Sequence, residues 1–200
     1  FKNISVLLKF SIIRNLYPRF MSIRIKGDRT IKTPTGLATR PTPSKVRAAV
    51  FNILQSRIYG ANCLDICAGS GAMGAEALVR GANQVVGIEL SVIACRILKE
   101  NWQKIAKSEQ VVQVIKGDAV KVLPKLQPKF FDLVYFDPPY QSDLYQPVLQ
   151  ALPPLIADDA IVIAEGDRLS PLPDVIGDLV CSDRRQYGQT ALSFYRLSLP

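Results

Sequence analysis

Asp137-Pro138-Pro139-Tyr140 puts a carboxylate, backbone carbonyls and an aromatic face within four residues. It follows an apolar run, residues 130–136, that reads as a buried strand. Two successive prolines donate no backbone hydrogen bonds, so the sheet ladder must stop there. These groups then stand at the carboxyl end of a strand, where open α/β sheets bind ligands. The chain contains no histidine, which removes every histidine-based catalytic scheme. Acid–base work falls to carboxylates, tyrosine, lysine or the backbone.

A second cluster lies upstream. Residues 62–67, NCLDIC, form a short buried strand carrying Asp65, followed by Ala68-Gly69-Ser70-Gly71-Ala72-Met73-Gly74 and a helix that ends at Gly81. Strand, glycine turn and helix amino terminus make a cradle in which the backbone of Gly69, Ser70 and Gly71 approaches a ligand closely. The next strand, 84–88, ends in Glu89-Leu90, an acid placed to hold ribose hydroxyls. A third strand, 111–115, closes at Asp118-Ala119, where the acid either accepts from an adenine amine or caps a helix over 119–126. To this point NAD and S-adenosylmethionine fit equally well.

The elements that must position these groups alternate strand and helix, which predicts a doubly wound α/β architecture with a mostly parallel sheet. A helix over 91–106 carries Ile93, Ile97 and Trp102. Another over 144–156 leads to a strand, 161–164, ending in Glu165. The tail reads as an antiparallel hairpin, 179–187 with 191–198, joined at Gly188-Gln189. Upstream, residues 22–36 read as a short basic hairpin, and Ser44 is placed to cap a helix with Val46, Ala49, Val50, Ile53 and Leu54 on one face.

Charge is unevenly spread. Residues 1–47 hold eleven Lys and Arg against one acid, Asp28, whereas residues 48–200 hold fourteen against sixteen. A nearly neutral body with a basic front suggests a polyanionic partner, most simply nucleic acid. Arg24, Lys26, Arg29, Lys32 and Arg40 are the candidate contacts. Hydrophobic content of 48% in 200 residues marks one globular body. No stretch is long and apolar enough to span a bilayer. Cys63, Cys67, Cys95 and Cys181 lack zinc-ligand spacing and read as small hydrophobes in a reducing compartment. Residues 1–20 are basic and acid-free, either an upstream extension before Met21 or an organelle transit peptide.

Asp65-Ile66-Cys67-Ala68-Gly69-Ser70-Gly71 resembles the first motif of class I S-adenosylmethionine-dependent methyltransferases. Asp137 to Tyr140 resembles the (D/N)PP(Y/F/W) motif of members that methylate planar amino groups. Thr39-Arg40-Pro41-Thr42, Val46-Arg47, Phe51-Asn52-Ile53-Leu54, the 69–81 block, and Tyr187-Gly188 before Leu192-Ser193-Phe194-Tyr195-Arg196 are similar to the bacterial 16S rRNA (guanine-N2)-methyltransferase family, RsmD-like, over residues 22–197. Cys67, Met73 and a shortened Lys26-Gly27-Asp28-Arg29 depart from the family pattern.

The resemblance implies a Rossmann-like fold, with residues 1–21 a leader, 22–44 an RNA-facing hairpin and loop, and 45–200 the methyltransferase domain. It implies S-adenosyl-L-methionine held by Asp65, Gly69, Ser70, Gly71, Glu89, Leu90, Asp118 and Ala119. Asp137 and the Pro138 carbonyl would orient a guanine amine, and Tyr140 would stack on the base. Pro139 and the basic residues would meet ribosomal RNA, within an assembled small subunit or a late precursor. A cytoplasmic monomer without metal is expected. Three rivals remain: a DNA adenine or cytosine amino-methyltransferase, a nicotinamide-dependent oxidoreductase, and a non-catalytic RNA-binding relative.

Overall fold

Runs such as NCLDI and FDLVYF are apolar on both sides of the pleat, and such strands need both sheet faces covered. The computed structural model describes residues 20–34, 42–140 and 142–198. Phe20–Arg24 (β1) and Thr30–Pro34 (β2) pair as the expected antiparallel hairpin, followed by helix Ser44–Ile53 (α1). Then come Asn62–Ile66 (β3), Ala72–Val79 (α2), Gln84–Glu89 (β4), Val92–Ile105 (α3), Val111–Lys116 (β5) and Ala119–Val122 (α4). Phe131–Phe136 (β6), Tyr145–Ala151 (α5), Ile156–Asp167 (β7), Val175–Ile176 (β8), Leu179–Tyr187 (β9) and Thr190–Leu197 (β10) complete the fold.

Eight strands form one sheet in the order β5-β4-β3-β6-β7-β10-β9-β8. The pairs from β5 through β7 are parallel, and β10, β9 and β8 join antiparallel. Side chains alternate between two cores, as a period of two requires. Cys63, Val85, Leu133, Tyr135 and Ile163 face a layer made by the hairpin, α1, α2 and α3. Leu64, Ile66, Val86, Phe136 and Val162 face α4 and α5. The order of the chain reverses between β3 and β6, and at such a switch point a crevice opens over the strand ends.

Local expectations needed correction where proline or packing intervened. Ser44 does not cap α1: it is the first helical residue, and Pro43 occupies the cap position at φ −56° without any side-chain capping bond. The helix expected over 119–126 ends at Val122 and continues as a 3-10 turn over Leu123–Lys125, with Pro124 at its start. Pro153 and Pro154 likewise convert the end of the 144–156 helix into a 3-10 turn. The strand placed at 161–164 runs from Ile156 to Asp167, and β8 was not anticipated. Ile93 is half exposed, outside the buried face of α3 that holds Ile97 and Trp102.

Candidate active site

The acids converge at the switch point. Cys67 sits at the centre, directly after β3, in a left-handed conformation (φ 62°) that few non-glycine residues adopt. Burial, together with the carboxylates of Glu89, Asp137, Asp65 and Asp118, pushes its thiol up to about 12. A cavity of about 940 Å³ lies over this point. Gly69, Ser70 and Ala94 line one side and Asp137, Pro138, Pro139, Tyr140, Glu165 and Thr190 the other.

On the glycine side, each acid knits backbone. Glu89 Oε2 accepts from the Gly69 N–H (2.9 Å) and Oε1 from the Ser91 N–H (2.8 Å). A carboxylate has about four lone-pair positions, so acceptor capacity remains for a diol. Asp65 is buried and accepts from the Gly74 N–H in the first turn of α2 (3.0 Å), and desolvation raises its carboxyl to about 8. Asp118 Oδ1 accepts from the Val120 N–H (2.9 Å), so it caps α4. Ala119 is buried behind it, and Leu90 stands exposed beside Glu89.

The three glycines of the turn have different work. Gly69, at φ 55°, has no atom within 4 Å of the place a Cβ would take, so its backbone is open to the cavity. At Gly71 a Cβ would lie 2.1 Å from Leu98 Cδ1 and 2.5 Å from Trp102 Nε1, and the indole N–H donates to the Gly71 carbonyl (2.8 Å). Gly74 is pressed by the same indole. Gly71 and Gly74 therefore make room for a fully buried tryptophan, and the open cradle is Gly69.

On the other side, Asp137 N–H donates to the Ile66 carbonyl (3.3 Å), the last rung before the prolines end the ladder. Its Oδ2 accepts from the Thr42 hydroxyl (3.2 Å). Burial first, then the charge of Glu165, holds its carboxyl well above the usual carboxylate range, while the Thr42 bond pulls it down. Glu165, which sequence reasoning left as a mere strand end, is 2% exposed. It accepts from the hydroxyls of Tyr135, Tyr140 (3.2 Å) and Thr190 (3.3 Å). Tyr140 is thereby tethered by its hydroxyl, and the residue as a whole is 45% exposed at the cleft.

The basic front is built onto this site. Buried Arg47 donates to the carbonyls of Thr42 (2.5 Å) and Arg24 (2.8 Å) and faces Glu76 (3.7 Å). One guanidinium thus fixes the hairpin, the Thr42 segment and α2. Asn101 Oδ1 accepts from the Lys32 N–H (2.9 Å), and its amide donates to the carbonyls of Lys32 and Ser70 (both 2.8 Å). Of the candidate RNA contacts, Arg24, Lys26, Arg29 and Lys32 are all exposed; Arg29 also reaches the Ile105 carbonyl (3.4 Å), and Lys32 pairs at the surface with Glu100 (3.6 Å). Arg40 lies outside the described residues, as do residues 1–19 of the leader. Lys45, at the start of α1, lines the cavity and was missed. Among the described residues no group of His, Cys, Asp and Glu could hold a metal ion, and no helix is long and apolar enough to cross a membrane.

A family model described as "Conserved hypothetical protein 95" matches residues 23–196. "Putative rRNA methyltransferase YlbH" of Bacillus subtilis is 31% identical over 175 residues, 86% of this chain and 95% of that protein. "Ribosomal RNA small subunit methyltransferase D" of Escherichia coli is 30% identical over 180 residues, covering 87% and 89% respectively. The solved structure of "Putative methyltransferase yhhF from Escherichia coli" superposes with a TM-score of 0.76 at 30% identity, covering 90% of this chain and all of that one. The architecture is therefore the Rossmann-like fold of methyltransferases, with an antiparallel carboxyl-terminal edge.

Proposed function

The chain belongs to the Conserved hypothetical protein 95 family of RsmD-like methyltransferases, and on that premise we propose that it methylates the exocyclic N2 amine of a guanine in small-subunit ribosomal RNA, using S-adenosyl-L-methionine. The observation that carries this reading is the single cavity shared by the open backbone of Gly69 and the Asp137–Tyr140 segment. A cofactor pocket alone would fit an oxidoreductase. A carboxylate, a prolyl backbone carbonyl and a tethered aromatic ring facing the cradle call for a flat amine as the second substrate.

The residues present fit the cofactor. Gly69 leaves space against its backbone, Glu89 keeps acceptors for the ribose hydroxyls, and exposed Leu90 offers apolar surface to the adenine beside Asp118. When bound, the cofactor supplies an activated methyl group. Everything else is positioning, worth several orders of magnitude in rate when reacting atoms are aligned. Guanine's amine is a poor nucleophile because its lone pair is delocalised into the ring. Asp137 and the Pro138 carbonyl accept its hydrogens and orient the lone pair toward the methyl. Tyr140 takes the ring face of a base drawn out of its stack.

The substrate assignment follows the relatives named for ribosomal RNA and the exposed Arg24 and Lys26 on the hairpin. Labelled S-adenosylmethionine offered with unmodified small subunits, naked ribosomal RNA or duplex DNA tests it. Label is expected in the subunits or their RNA; label confined to DNA would overturn the assignment in favour of an amino-methyltransferase of DNA.

A further inference from the structure

Glu165 is a buried acid on the cavity wall with no part in the transfer proposed so far. Strands β6 and β7 run parallel with Phe136 beside Ala164. Asp137, just past the end of β6, and Glu165, still within β7, are the next positions along, so they project to the same face, about 4.8 Å apart along the sheet. Both line the cavity. A buried carboxylate must be hydrogen-bonded or paired and, on a cleft wall, is a candidate functional group, whereas the preceding positions on its face, Ile161 and Ile163, are ordinary core residues. Three hydroxyls, from Tyr135, Tyr140 and Thr190, donate to it. They occupy three of about four lone-pair positions of a carboxylate and hold it as an acceptor, with one position left.

Two adjacent acceptors suit one kind of base edge. Guanine presents a ring N1–H donor next to its N2 amine. Adenine and cytosine present a ring nitrogen lone pair next to theirs, which a carboxylate repels. We propose that Glu165 reads the base, accepting the N1–H of guanine while Asp137 holds the neighbouring amine. This rests on the guanine-N2 reading and supplies its selectivity. The same carboxylate tethers the Tyr140 hydroxyl, so edge recognition and the stacking ring share one anchor.

The test uses 2-aminopurine, which keeps the amine at C2, replaces the N1–H by a lone pair and lacks the C6 oxygen, a second difference common to native enzyme and variant. Reconstituted small subunits carry either base at the mapped nucleotide, and kcat/KM is measured for each. The native enzyme should prefer guanine by roughly ten- to a hundredfold, the range for one hydrogen bond to a charged group. Glu165→Gln, whose amide offers both a donor and an acceptor, should shrink that preference by about tenfold while affinity for S-adenosylhomocysteine is retained. The intrinsic difference in amine reactivity cancels in this comparison. An unchanged preference in the variant would overturn the role of Glu165 while leaving guanine methylation standing. Should the variant fail to fold, equal turnover of the two bases by the native enzyme overturns it without any variant. A native enzyme that leaves guanine unmethylated defeats the underlying reading instead.

Discussion

At the scale of single residues, the hydroxyl of Thr42 decides which oxygen of Asp137 is spoken for. Its bond to Oδ2 leaves Oδ1 as the oxygen that the proposed amine contact would use, and lowers a carboxyl that burial and Glu165 raise. The ionised form is the better acceptor, so activity should climb with pH through an apparent pKa, above the usual carboxylate range, that belongs to the Asp137–Glu165 pair. Thr42→Val should move that climb to higher pH and cut kcat about tenfold, the scale of one hydrogen bond to a charged group. Asp137→Ala should abolish transfer with cofactor affinity near normal by calorimetry. Asp65 makes a separate pH prediction. Burial pushes its carboxyl up to about 8 from an ordinary 3.8, so the folded state binds the proton more tightly and stability falls as pH rises between them. Asp65→Asn keeps an oxygen for the Gly74 N–H and should flatten that slope in melting curves taken from pH 4 to 9. Asp137 was legible in sequence because two prolines mark a strand end unmistakably. Glu165 was not, because the partner strand that brings it beside Asp137 is fixed only by sheet order.

At the scale of elements, the glycine turn and α3 form one packing unit through Trp102. The run Gly69-x-Gly71-x-x-Gly74 is visible in sequence, but nothing local tells which glycine serves a ligand and which serves an indole arriving from α3. Substitution should separate them. Gly71→Ala drives a methyl into Leu98 and Trp102 at φ 76° and should cost about 3 kcal/mol or more in denaturant unfolding. Gly69→Ala meets open space and should cost only about 1 kcal/mol, from its left-handed backbone, yet weaken S-adenosylhomocysteine binding in calorimetry. Strand–helix alternation gave the parallel half of the sheet correctly, because apolar runs bounded by turns are unambiguous there. Helix ends near Pro124 and Pro153 went astray because 3-10 turns keep the pattern of apolar residues while ending the α-helix.

At the scale of the molecule, a basic front is built onto a nearly neutral catalytic body through Arg47 and Asn101. The charge asymmetry was plain in the sequence. That Arg47 spends its guanidinium on the protein was not, since it depends on which acids and carbonyls the fold brings near. Exposed Arg24 and Lys26 are the phosphate contacts proposed for test, beside Arg29 and Lys32, which are exposed too. Replacing each with Ala should lower the slope of log affinity for RNA against log salt by about one, with cofactor affinity unchanged. The central claim is that this cleft places a guanine amine against Asp137 for methyl transfer, and nucleoside mass spectrometry of RNA recovered from treated, initially unmodified small subunits tests it most directly. The native enzyme should yield N2-methylguanosine and Asp137→Ala none; methylation at another atom, or N2-methylguanosine persisting in the variant, would contradict it.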